Sequence, residues 1–206
     1  MQIEIRNDSV IIKGYINAVE RDSRTIKSPK ETFVEQVRAG TWDKAIKKND
    51  DIAILLNHDW SKKLGSTKDN LKLKEDNIGL FAEARVYDSD TIKKAKENAI
   101  VGWSFGFKVN QQSWGKTDNE IDRRYLDDID LYEVSLLDNT RTPAYYGTSV
   151  EVRDNEEVFV EHRSYDGDIE IINKQEEVVE KLEDGLKEKI ELEQKLKLIK
   201  LELELG

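Results

Sequence analysis

The sequence predicts an α+β, mainly β domain built on a closed or nearly closed sheet, followed by a C-terminal helical tail that resembles a coiled coil. Through the first 160 residues, short alternating apolar and polar segments are separated by turn residues, with few helix signals between them. From about residue 174, the chain is almost wholly Glu, Lys, Leu, Ile and Val. We therefore divide it into a domain over residues 1–160, a linker over 161–173 and a tail over 174–206.

The composition narrows the class of protein. The chain has 206 residues and a net charge of −10, so it lacks the excess of basic residues that nucleic-acid binding needs. It has no cysteine, which excludes thiol catalysis, thiolate metal sites and disulfides. The first residues lack the apolar core of a signal peptide, and no apolar run approaches the roughly 20 residues of a membrane helix. We expect a soluble cytoplasmic protein that binds other proteins and neither nucleic acid nor membrane.

Strands are predicted wherever apolar residues alternate with polar ones or form a short run. The stretch 71–87 has a turn at its centre and predicts a hairpin, and the stretch 123–137 contains a phase slip typical of a β-bulge. The predicted strands, including this hairpin, lie at residues 10–19, 52–56, 71–87, 101–109, 123–137 and 157–163.

Three helices are predicted, two of them from capping residues. Over residues 28–40, Ser28 suits the N-cap, Pro29 the first helical position and Glu31 a capping box. Residues 41–50 predict another turn or two of helix. A third helix is expected to begin after Asp88 or Ser89, with basic residues later in the segment that suit the helix dipole.

The tail carries an apolar stripe at helical spacing. Steps of mostly three and four residues between apolar positions favour a coiled coil, and a solvated single helix stays open as the alternative. The stripe consists of Val179, Leu182, Leu186, Ile190, Leu196, Ile199 and Leu203.

Three short segments place a reactive type of side chain among apolar neighbours. "LLNHDW" contains His58 at the expected end of a strand, "GWSFGF" contains Ser104, and "LYEVSLLDNTRTPA" contains Glu133. A serine hydroxyl needs a base to become a nucleophile, and the base needs an orienting group. These side chains meet that minimum, although each also fits an ordinary structural role at a strand position.

Other residues near these segments have simpler interpretations. The glycines on either side of Ser104, Gly102 and Gly106, would let a substrate backbone lie close to the strand. His162 lies in a polar segment and is predicted to be a surface residue. No metal site is expected, because the two histidines are distant in sequence and cysteine is absent.

The three segments in this order, "NHD", "SFGF" and "YEVSLLDNTRTPAY", resemble the prohead maturation proteases of tailed bacteriophages, serine proteases regarded as structural kin of the herpesvirus assemblin. The resemblance covers about residues 10–153. It implies a small β-barrel with peripheral helices. It also implies that Ser104 is the nucleophile, His58 the general base and Glu133 the third member of a triad, with Asp138 close by in sequence as another acid.

The resemblance further implies partners and a place of action. Substrates would be scaffold segments of the major capsid protein, and the protease itself, within the procapsid in the host cytoplasm and without a cofactor. The protease would act as a dimer or higher oligomer. We expect oxyanion or substrate contacts from Arg141 and Gly106, and a tail that anchors the protease or is removed by self-cleavage. A non-enzymatic capsid assembly module and a metal-dependent hydrolase are the alternatives.

Overall fold

A computed structural model of the chain describes residues 1–27, 31–140, 147–153, 156–165 and 168–174, together with Lys189, Leu192 and Lys195. Arg141 and nearly all of the predicted helical tail lie outside the described residues. Within them, thirteen strands and two helices follow in this order: β1 (Gln2–Ile5), β2 (Val10–Ala18), β3 (Ile26–Lys27), β4 (Thr32–Val37), α1 (Thr41–Lys48), β5 (Ala53–Leu56), β6 (Asp59–Ser66), β7 (Leu71–Glu75), β8 (Gly79–Val86), α2 (Ser89–Lys96), β9 (Ile100–Lys116), β10 (Asp122–Asp138), β11 (Gly147–Arg153), β12 (Glu156–Tyr165) and β13 (Glu170–Asn173).

The strands form two sheets. The smaller has the order β13-β1-β2-β8-β7, in which β1 and β13 are parallel. The larger has the order β11-β12-β9-β10-β4-β3, and β5 joins it by pairing with both β10 and β6. The predicted mainly β class is therefore confirmed, and each predicted strand corresponds to an observed strand or hairpin.

Strand β10 organises the larger sheet because different parts of it have different neighbours. Its first residues pair in parallel with β4, and the segment Glu133–Leu136 pairs in parallel with β5. Along its other edge it pairs antiparallel with β9, with register shifts that include one between Leu131 and Glu133. The bulge predicted from the phase slip is confirmed, and it sets the face to which Glu133 points.

The predicted closure of the sheet is not found: among the described residues, no pairing joins the edge strands into a closed barrel. Instead, side chains bridge the curled sheet. Arg163 on β12 donates to both carboxylate oxygens of Glu35 on β4, at 2.9 and 3.0 Å, although β9 and β10 separate these strands in the sheet. Alternation in the sequence predicts which face is buried, but it does not say which edges will pair.

A buried ionic cluster surrounds this bridge. Arg124 on β10 contacts Glu35 at 3.2 Å and forms two hydrogen bonds with Glu161 on β12, at 2.8 and 2.9 Å. Arg163 also contacts Glu161 at 2.6 Å. Arg124, Arg163 and Glu35 are each less than one-tenth exposed. The cluster therefore holds β12 to two strands with which it does not pair.

Glu35→Gln is expected to lower the free energy of unfolding by about 3 kcal/mol, because it leaves two buried guanidinium groups short of negative charge. Urea unfolding of the two proteins at pH 7 measures the difference. Glu97→Gln is the matched control, since in the described part of the chain the Glu97 carboxylate forms an exposed ion pair with Lys93 at 3.9 Å and no other. An effect of Glu35→Gln no larger than that of the control would contradict the assigned role of the cluster.

Helices α1 and α2 confirm two of the predicted helices. In α1, Trp42 is buried and packs edge-on against Phe105 with ring centroids 5.0 Å apart, which fixes the helix on the core face of β9. Helix α2 begins after Asp88, whose carboxylate accepts the backbone N–H of Thr91 at 2.7 Å. Asp88 is one of the two N-cap residues that the sequence offers.

Ser28 and Pro29 lie outside the described residues, and over the described part of residues 28–40 the predicted helix is wrong. Thr32–Val37 forms strand β4, which pairs with β10 and buries Phe33 and Val37. Aromatic and β-branched residues favour strands, and here pairing with β10 outweighs the local capping signal. Gly40, expected to end that helix, has a φ of 86° and lies at the N-cap of α1 instead.

The segment predicted as a linker contains strand residues. β12 extends to Tyr165, and β13 covers Glu170–Asn173 at the edge of the smaller sheet. The division of the chain into domain, linker and tail stays a prediction. Across the described ranges, no helix is both long and apolar enough to span a membrane.

Candidate active site

His58 lies in the turn of the hairpin formed by β5 and β6. Leu56 pairs with Asp59, so Asn57 and His58 alone form the turn, with φ values of 58° and 60°. Two-residue hairpin turns with positive φ at both positions match the strand twist, but the second position usually holds glycine. Histidine there costs on the order of 1 kcal/mol. The strand-end position predicted for His58 is confirmed.

Contacts with the end of β10 hold this turn in place. The N–H of Asn57 donates to the carbonyl of Leu136 at 2.8 Å, and its side-chain oxygen accepts the N–H of Asp138 at 3.0 Å. The N–H of His58 donates to the hydroxyl of Ser135 at 3.1 Å. The imidazole is therefore carried by a short turn bonded to the strand that contains Glu133.

Glu133 is fully buried and contacts the His58 imidazole. Its Oε1 lies 2.7 Å from Nδ1 of His58, and its Oε2 accepts the hydroxyl of Ser135 at 2.6 Å. Burial acts to raise the pKa of the Glu133 carboxyl, but polar contacts with His162, His58 and Ser135 outweigh it and lower that pKa to about 2. An ionised Glu133 accepts a proton-bearing Nδ1 and leaves Nε2 of His58 as the basic nitrogen.

His162 is not the surface residue that the sequence predicts. Its side chain is 13% exposed, its Nδ1 lies 3.6 Å from Oε1 of Glu133, and its ring centroid is 4.2 Å from that of His58. The two histidines, distant in sequence, are neighbours because β12 pairs with β9 beside Glu133. The sequence does contain a signal for the burial of His162. Because side chains two residues apart on a strand share a face, the strand predicted over residues 157–163 places His162 on the same face as the buried Val160.

Gly106 makes room for this group of side chains. It pairs with Glu133 on one side and with His162 on the other. A Cβ at Gly106 would lie 2.4 Å from Oε1 of Glu133 and 3.2 Å from Cε1 of His162. The space expected to receive a substrate backbone therefore holds the Glu133 carboxylate.

Ser104 lies on β9 beside this group of side chains. It pairs with Ser135 on β10 and with Ser164 on β12, two residues along from Gly106 and on the same face. Its side chain is buried and its hydroxyl donates to the carbonyl of Arg163 at 2.7 Å. Ser104, Ser135 and Ser164 therefore lie side by side across three strands, next to the set formed by Glu133, Gly106 and His162. The Ser104 hydroxyl is bonded to β12 rather than to the imidazole.

Asp138, the other acid considered from the sequence, has different neighbours. Its Oδ1 accepts the N–H of Thr140 at 3.0 Å, and its other oxygen contacts Nζ of Lys94 at 3.2 Å. Burial acts to raise the pKa of Asp138, but contacts with Thr140, Asn57 and Lys94 lower it to about 2. Asp138 therefore joins the end of β10 to the His58 turn and to α2.

The lowered pKa of Asp138 predicts a loss of stability in acid. Because its folded pKa of about 2 lies below the ordinary 3.8, its ionised form stabilises the fold above pH 4, and this contribution disappears as the pH falls from about 4 to about 2. We expect the difference in unfolding free energy between wild type and Asp138→Asn to be about 2 kcal/mol larger at pH 7 than near pH 2. Urea unfolding measures it at each pH, and groups that titrate in both proteins cancel. A difference independent of pH would contradict the assignment.

The comparison with protein families decides what kind of protein carries this site. A family model described as caudovirus prohead serine protease matches residues 1–162, most of the chain. The chain belongs to this family. The chain is therefore a serine peptidase of bacteriophage capsid maturation, as the resemblance implied, and the non-enzymatic alternative is not supported. The matched range contains Ser104, His58 and Glu133 and ends at His162. Comparisons with curated proteins and with solved structures find no match.

Proposed function

We propose that this member of the family cleaves peptide bonds by acyl transfer through Ser104, His58 and Glu133. The observation that carries this proposal is the 2.7 Å contact between Glu133 and Nδ1 of His58, next to a serine on the same face of the sheet. A buried carboxylate bonded to Nδ1 fixes the tautomer in which Nε2 can accept a proton, which is the role of the acid in a serine protease triad.

In the reaction, Nε2 of His58 takes the proton of Ser104 as Oγ attacks the scissile carbonyl. The imidazolium, stabilised by Glu133, then gives this proton to the leaving amine, and water repeats the cycle to release the acyl group. Before attack, the Ser104 hydroxyl has to break its hydrogen bond to the carbonyl of Arg163 and form one to Nε2 of His58. The buried Ser104 side chain also has to become accessible to the substrate. Arg141 remains a proposed contributor of oxyanion or substrate contacts.

The proposed substrates are scaffold segments of the major capsid protein and the protease itself, within the procapsid. Family membership supports the class of substrate, and the acidic chain supports protein partners over nucleic acid. The tail over residues 174–206 is proposed to anchor the protease among scaffold segments or to be removed by self-cleavage, and the protease to act as a dimer or larger assembly. The chemistry proposed for the triad requires no cofactor.

A fluorophosphonate probe tests the nucleophile. Wild-type protein is expected to be labelled at one serine, and Ser104→Ala is expected to lose this label because the attacking oxygen is gone. Ser113→Ala, a change in the exposed half of the same strand, is the matched control and should retain labelling. Labelling that survives Ser104→Ala would assign the nucleophile to another residue.

Co-expression with capsid protein tests whether that protein is the substrate, and it lets the procapsid form around the protease. We expect intact mass measurement to show a shortened capsid protein with the wild-type protease and a full-length one with Ser104→Ala. Peptide mapping of the same sample would show whether the protease has also cleaved itself. Probe labelling without a shortened capsid protein would keep the serine protease and reject this substrate.

A further inference from the structure

The group formed by His58, Glu133 and His162 has the composition of a metal site. One ring nitrogen from each histidine and one carboxylate oxygen lie within 4.8 Å of one another. The side chains come from three separate parts of the sheet: the β5–β6 turn, β10 and β12. Their relative positions are therefore set by strand pairing rather than by a flexible loop.

The distances suit a small divalent ion after a modest side-chain adjustment. Zinc binds imidazole nitrogen and carboxylate oxygen at about 2.0–2.2 Å, so ligand atoms in a tetrahedral site lie about 3.3–3.5 Å apart. The contact between His162 and Glu133 is already 3.6 Å, whereas that between His58 and Glu133 is 2.7 Å and has to open. The side chain of His58 is 23% exposed, so the site can be reached from solvent.

We propose that His58, Glu133 and His162 bind a divalent transition-metal ion of the zinc type, and that this ion reversibly inhibits the protease. The inhibition rests on the proposed function; the binding does not. On binding, Nδ1 of His58 loses its proton to water and Nε2 takes one up from water, so that the lone pair of Nδ1 binds the ion. The single ring proton then resides on Nε2, the nitrogen that has to be unprotonated to accept the proton of Ser104.

Cobalt titration of Ser104→Ala protein tests the binding. This variant keeps all three proposed ligands and cannot cleave itself by the proposed mechanism. We expect the visible absorption of protein-bound Co²⁺ to saturate at one ion per chain and to disappear when Zn²⁺ is added. Because the chain has only two histidines and no cysteine, a signal that depends on histidine can be assigned directly.

Second changes in the Ser104→Ala protein assign the ligands. Adding His162→Asn or Glu133→Gln should weaken cobalt binding by about two orders of magnitude, since each removes one of three protein ligands. Adding Asp118→Asn, which removes an exposed carboxylate in the β9–β10 turn, should leave binding unchanged. Circular dichroism checks the fold of each variant, and His162→Gln serves as a second variant if His162→Asn does not fold. No cobalt signal, or one unaffected by both changes in folded protein, would overturn the site.

Inhibition is measured separately on wild-type protein. Zinc is expected to lower fluorophosphonate labelling at least about tenfold, through the loss of a general base, and a chelator should restore it. If cobalt binds as expected but zinc leaves labelling intact, the site stands and the inhibitory role is rejected. If wild-type protein is never labelled, even with capsid protein present, the proposed function fails while the cobalt titration still decides the metal site.

Discussion

Glu133→Gln is expected to lower kcat by about three to four orders of magnitude, the size of effect seen when the acid of a serine protease triad becomes an amide. The buried carboxylate accepts a hydrogen bond from the Nδ1–H of His58, with 2.7 Å between Nδ1 and Oε1. An amide nitrogen at that position would donate instead, which favours the opposite tautomer and removes the basic lone pair from Nε2. The side-chain volume hardly changes, so the fold should be retained.

Cleavage of a capsid-derived peptide, or the rate of probe labelling, measures this loss. The thermal midpoint reports whether the variant is folded. Glu83→Gln is the matched control, because Glu83 is an exposed carboxylate on β8 that contacts only Lys72 at 3.9 Å among its charged neighbours in the described part of the chain. Retention of wild-type activity by folded Glu133→Gln would remove Glu133 from the mechanism and leave His58 without its proposed orienting group.

Gly106→Ala is expected to lower activity by about 100-fold or more, because small misplacements of catalytic groups are costly. The new methyl group would lie 2.4 Å from Oε1 of Glu133 and would push the carboxylate away from His58. Overpacking of this kind typically destabilises a protein by about 1–3 kcal/mol. Urea unfolding and the activity assay measure the two effects on the same protein.

Two further variants separate displacement of the acid from general damage to β9. Gly115→Ala lies on the same strand, where the new methyl group meets the ring of Tyr125 at 3.1 Å and no proposed catalytic side chain. It should keep most of the activity. Adding Glu133→Asp to Gly106→Ala shortens the acid and should recover part of the lost stability. If the double variant were less stable than Gly106→Ala alone, the assigned steric conflict would be wrong.

The sequence predicts much of this arrangement, because short apolar runs and the two-residue alternation of apolar side chains indicate where strands lie and which face is buried. The run that ends at Leu56 indicates a strand end at His58, and the phase slip before Glu133 indicates the observed bulge. The sequence does not predict side-chain contacts that depend on which strands pair in the sheet. His162 reaches the site only because β12 lies beside β9, and nothing in the sequence around it specifies that neighbour.

The same limit explains the two errors about the fold. Residues 28–40 carry good helix-capping signals, yet β4 forms between β3 and β10, and its partner residues on β10 lie about 90 residues further along the chain. Of the predicted closed or nearly closed sheet, the closed form is not found among the described residues, for a related reason. The curl is spanned by Arg163 and Glu35, and charged residues at these positions look like solvent-facing strand residues when only the sequence is read.

The position of β12 late in the chain has a consequence for biosynthesis. Residues that a ribosome makes early, including His58 and Ser104, cannot acquire their final surroundings until Glu161, His162 and Arg163 have been translated and have docked. Domains generally fold as units as they emerge. A nascent chain therefore carries the proposed catalytic side chains apart from their final neighbours until translation has passed this strand.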